Sequence, residues 1–110
     1  MFRVPTSSAH RYGATVIEIL TFRLAGGVDV AAFTALDVRV QTEVAYQQPG
    51  MLRRPTGRYD EGRWLILQVW ASSEAAAAGR VAFGRSAVWA ALEAMIDADS
   101  VHVEQFEGID

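Results

Sequence analysis

No cysteine occurs among the 110 residues, so disulfides, thiol nucleophiles and thiolate-held metals are excluded. Lysine is absent as well. All ten cations are arginine, and no side chain can form a Schiff base. Asparagine is the third absence, which removes any mechanism that needs its amide. Together with 18 alanines, this usage fits a GC-rich bacterial coding sequence. Positive charge is not in excess either, since the net charge is −3 and nothing gathers to hold a nucleic-acid backbone. No apolar run approaches the roughly 20 residues of a membrane helix. The stretch from Met1 to Ser8 has no apolar core of signal-peptide length, so the expected location is the cytoplasm. No phosphate-loop, dinucleotide, nucleophile-elbow or metal-ligand spacing is found. What is present is the balance of one globular domain, 51% hydrophobic and 21% charged.

Residues 1–13 hold Pro5 and a Thr-Ser-Ser run without a period, and read as a flexible arm before a single domain over 14–110. Ala14 to Leu24 is rich in β-branched and aromatic residues and predicts a strand. Gly26-Gly27 ends it, and Asp29 stands where a helix N-cap belongs. Val30, Phe33, Leu36, Val40 and Val44 then form the buried stripe of a helix, with Asp37, Arg39 and Glu43 assigned to its outer face. Pro49 and Gly50 stop this segment. Met51 to Tyr59 predicts a second strand, and Pro55 and Gly57 put it at a sheet edge. After a turn at Asp60-Glu61-Gly62, Arg63 to Ala71 is the clearest strand. Ser72 or Ser73 caps a helix that Gly79 and Gly84 interrupt, with a further stretch from Ser86 to Ile96. Ser100 to Glu107 alternates as the last strand. The order βαββαβ is the ferredoxin-like α+β plan, two helices on one face of a four-stranded antiparallel sheet in the order 4-1-3-2.

Side chains alternate along a strand, so Leu65, Leu67 and Val69 point one way and Trp64, Ile66, Gln68 and Trp70 the other. The all-aliphatic set is assigned to the helix layer, which leaves the tryptophan set on the bare face with Val16, Glu18, Leu20 and Phe22. A bare apolar face of this size predicts a homodimer packed sheet to sheet. Coverage by the N-terminal arm is the alternative. Glu18 interrupts an apolar strand, and a buried carboxylate needs a cation or a proton. By strand parity alone, Arg54, Arg58 or His102 is the expected partner. Glu18 is therefore the candidate catalytic residue, a general base for a phenol or an enolisable carbonyl, with a structural salt bridge as the other reading. Trp70 either packs the interface or walls a cavity with its indole N–H on a ligand oxygen. Phe22, Arg54, Trp64, Gln68 and His102 complete the candidate ligand set. Arg53-Arg54 suits a carboxylate-bearing ligand. His10 and His102, without further spacing, make no metal site.

The stretch Arg63-Trp-Leu-Ile-Leu-Gln-Val-Trp-Ala-Ser-Ser-Glu-Ala, with Phe22-Arg-Leu-Ala-Gly-Gly-Val-Asp and Gln47-Gln-Pro-Gly, resembles the antibiotic biosynthesis monooxygenase-like family. That family belongs to the dimeric α+β barrel superfamily, and the resemblance spans roughly residues 15–107. It implies a homodimeric barrel and cofactor-free oxygenation of an aromatic or polyketide-like molecule in a barrel cavity. The family's helix histidine falls at Gly79 here, and the asparagine of its haem-degrading branch has no counterpart. Of the family's functional positions only Trp70 carries over. A non-catalytic ligand-binding or structural dimer of the same fold remains open beside the oxygenase.

Overall fold

The computed structural model describes residues 14–60 and 62–109, so the arm expected over 1–13, with His10, lies outside the described residues. Strand β1 (Val16–Phe22) leads through a turn at Gly27, whose φ of 81° favours glycine, into helix α1 (Val30–Glu43). Asp29 caps that helix by accepting from the Ala32 N–H at 3.1 Å. The expected second strand is split at Arg54-Pro55 into β2 (Met51–Arg53) and β3 (Thr56–Arg58). Both pair with β4 (Trp64–Trp70), and proline's missing donor accounts for the gap. Ser72 caps α2 (Ser73–Gly84), and Ser86 caps α3 (Ala87–Glu93). The chain ends its described course in β5 (His102–Glu107).

Hydrogen-bonded neighbours run β2-β4-β1-β5, with β3 also on β4, in one antiparallel sheet. This is the expected ferredoxin-like α+β topology, with five strands among the described residues where four were expected and three α-helices where two were. The helices depart from expectation in two respects. Gly79 does not interrupt α2, and the last helix stops at Glu93 rather than Ile96. Gly79 is instead the contact point of α2 with the sheet, because a Cβ built there would overlap the indole of Trp70.

The larger correction concerns which face is bare. Trp64, Ile66, Gln68 and Trp70 are buried, whereas Leu65, Leu67 and Val69 are only half-buried. The tryptophan set therefore lies under the helices, the reverse of the expected orientation. The reason is volume. Trp70 packs edge-on to Phe83 of α2 at 6.4 Å, Phe83 meets Trp89 at 5.2 Å, and Trp64 meets Phe33 of α1 at 5.0 Å. Bulky rings fill the wide gap between sheet and helices, as an aromatic-rich core does. The open face carries the shorter side chains Ile17, Ile19, Leu65, Leu67 and Val69, joined by the exposed Phe106 and Leu52.

Candidate functional site

Glu18 sits in the middle of β1, opposite Gln68 of β4 on one side and Gln105 of β5 on the other. The register alone brings three polar side chains onto one patch of the helix-facing surface. Its carboxylate accepts four hydrogen bonds. Oε1 takes the indole Nε1–H of Trp70 at 2.6 Å and the Gln68 amide at 3.3 Å. Oε2 takes the Arg80 guanidinium at 2.9 Å and the Gln105 amide at 3.3 Å. Four donors and no acceptor converge on the group, which is how a charged carboxylate is satisfied away from water. Glu18 is 3% exposed, so this satisfaction is required.

Arg80 supplies the compensating charge from α2, one residue past the glycine that seats the helix on Trp70. Its side chain is 32% exposed, against 4% for that of Glu18. The ion pair thus has an inner carboxylate and a cation that reaches towards solvent. Trp70 is fully buried, and its N–H is committed to Glu18 rather than free for a ligand oxygen.

The expected site residues divide into three places. Glu18, Gln68 and Trp70 come together as described. Phe22, Trp64 and Arg54 lie towards α1 instead: Phe22 packs on Phe33 at 5.9 Å, and Trp64 is covered by the Arg58 guanidinium at 5.2 Å. Arg54 is fully buried and donates to Asp37 of α1 at 2.9 Å, so Asp37 is not on the outer face assigned to it. Arg53 is exposed, which divides the expected basic pair between solvent and core. His102 is on the open face, its side chain 69% exposed and 3.6 Å from Glu104, and it takes no part in the cluster.

None of the three cations expected to meet Glu18 does so. Arg80 and Gln105 are the members of the Glu18 cluster that sequence reasoning missed. Arg80 had a signal, because it stands four residues after the buried Ala76 and three before the buried Phe83. That spacing puts it on the inner stripe of α2. Gln105 had the alternation of β5, once the face of β1 was correctly assigned.

Among the described residues no group of three or more His, Asp or Glu side chains is placed to hold a metal ion. No described helix is long and apolar enough to cross a membrane.

No protein-family model matches the chain. No curated protein matches it either. Solved structures do. SnoaB, a cofactor-independent oxygenase from Streptomyces nogalater, is similar with a TM-score of 0.73 at 19% identity, over 88% of this chain and 95% of that one. A candidate antibiotic biosynthesis monooxygenase from Caulobacter crescentus is similar with a TM-score of 0.70 at 20% identity, over 90% and 94%. A dimeric ferredoxin-like protein from an uncultured marine organism reaches 0.68 at 12% identity, over 88% and 90%. This chain is a ferredoxin-like α+β domain, built on the fold that these oxygenase and dimeric structures share.

Proposed function

We propose that this protein is a member of the antibiotic biosynthesis monooxygenase-like family and a cofactor-free oxygenase of an aromatic or polyketide-like molecule. The observation that carries the reading is Arg80, a partly exposed cation fixed by the buried Glu18 at the edge of the layer between sheet and helices. Oxygenation without a cofactor draws all four electrons for O2 from the substrate itself. A CH2 group becomes C=O, one oxygen atom enters the product and the other leaves as water. Such a substrate must first lose a proton and carry the charge on a phenolate or enolate oxygen. A cation held at the edge of a low-dielectric layer stabilises that charge where it develops. Glu18 orients Arg80 and, on losing one of its two 3.3 Å amide bonds, accepts the substrate proton. On this reading the substrate meets Arg80 at the edge of the layer between sheet and helices, rather than between two sheets. The cofactor-independent activity of SnoaB supports the same chemistry.

We also infer a homodimer through the open face, supported by its row of aliphatic side chains and by the dimeric relative.

A second reading has its own support. The Glu18 carboxylate is already saturated and Trp70 is sealed, which suits a binding or structural dimer without turnover. Anthrone separates the two, with oxygen uptake and tryptophan quenching followed together. The oxygenase reading expects uptake, a fall of roughly 10²- to 10³-fold in Arg80→Met, and a comparable fall in Glu18→Gln. Quenching without uptake establishes the binding reading. Wild-type turnover in Glu18→Gln removes the base.

A further inference from the structure

We propose that the cavity between α1 and β3 is a binding site for a one-ring phenol. It lies beyond the reading above, since Trp64 at this end of β4 and Trp70 at the other are six residues, roughly 20 Å, apart. The cavity has a volume of about 180 Å³, is open to solvent beside the exposed Thr34 and Val38, and is further lined by Phe33, Asp37, Gln41, Thr56 and Trp64. One buried donor on its wall, the Thr56 hydroxyl, has no hydrogen-bond partner. Native interiors rarely leave such a group unmatched, and it marks a place where an acceptor belongs.

The chemistry of the wall selects the ligand. Arg54, fully buried, spends a single bond on Asp37, which holds that carboxylate in place facing the cavity. A group that enters must accept from Thr56 and donate to Asp37, and one hydroxyl does both. A carboxylic acid would bring a second anion against Asp37, which is disfavoured. Phe33 and Trp64, set edge to face with centroids 5.0 Å apart, offer ring surface, and Val38 adds an aliphatic contact. Size sets the ring count. A cavity of about 150 Å³ holds benzene, whereas drug-sized ligands occupy roughly 300 Å³ or more.

The test is a titration of the full chain with phenol and with toluene, followed through backbone amide shifts. Phenol is expected to shift residues 33–41 and 56–58 and to saturate in the millimolar range. In Thr56→Val its affinity is expected to fall about tenfold, the loss of one hydrogen bond, while toluene is unaffected. Thr56→Ser keeps the hydroxyl and is expected to keep phenol affinity, which guards against a folding defect in the valine variant. Absence of shifts would show that water alone satisfies the Thr56 hydroxyl, and overturns the proposal. So does equal binding of phenol and toluene in both proteins. Shifts around Trp70 and Arg80 instead would assign phenol to the other end of β4 and overturn this site while leaving the proposed reaction standing.

Discussion

Arg39 and Arg54 each hold one carboxylate on or against α1, yet their surroundings give the two pairs different weight. Arg39 and Glu43 are one turn apart and exposed, with a 2.7 Å contact. Exposed pairs of this kind contribute little. The hydrogen bond from Arg39 holds the Glu43 carboxyl below its ordinary value. Whatever the pair adds is therefore present above the ordinary carboxylate range and is lost as pH falls through the lowered value. Arg54 and Asp37 are buried, and removal of one partner strands the other charge without water. Urea unfolding of Asp37→Ala is expected to show a loss of about 3–5 kcal/mol, whereas Glu43→Gln leaves the midpoint unchanged. An unchanged midpoint in both would mean that water reaches Arg54. The position of Asp37 was legible by counting, four residues after Phe33 and three before Val40. Its charge argued for the outer face, and no count within one helix shows a cation arriving from another strand.

At the scale of elements, α2 and β4 meet through Gly79 and Trp70, and this contact sets where Arg80 emerges. Gly79→Ala puts a methyl group into the indole ring, with the helix backbone on one side and the sheet on the other. Neither can yield cheaply. A loss of about 1–3 kcal/mol is expected, with a change in the near-ultraviolet tryptophan spectrum as Trp70 leaves Glu18. A native spectrum and midpoint would show that the helix simply rides higher. Strand and helix borders were largely legible, because caps, glycines and proline act within a few residues. The facing of the strands was not. Parity separated Trp64, Ile66, Gln68 and Trp70 from Leu65, Leu67 and Val69, but both sets are apolar enough for a core. The choice between them depends on the width of the gap that Phe33, Phe83 and Trp89 must help to fill. That is a property of packed helices, and no single strand contains it.

At the scale of the molecule, the open sheet face is largely apolar and carries His102 and Glu104 on its β5 margin. A second copy of the face would bury it, and a specific interface of this kind covers more than about 1,000 Å². Sedimentation at micromolar concentration is expected to give twice the chain mass. Leu67→Arg, on the exposed side of the central β4, is expected to give a folded species of one chain mass. A wild-type protein that sediments at one chain mass rules the dimer out. The Glu18 cluster has another consequence, one of order in time. Its four bonds join residues 50, 52, 62 and 87 positions apart along the chain. Contacts of such long range cannot form until the intervening loops have closed. Any fragment that stops short of Gln105 holds an incomplete cluster, so the carboxylate finds its last donor only when the final strand docks beside the first.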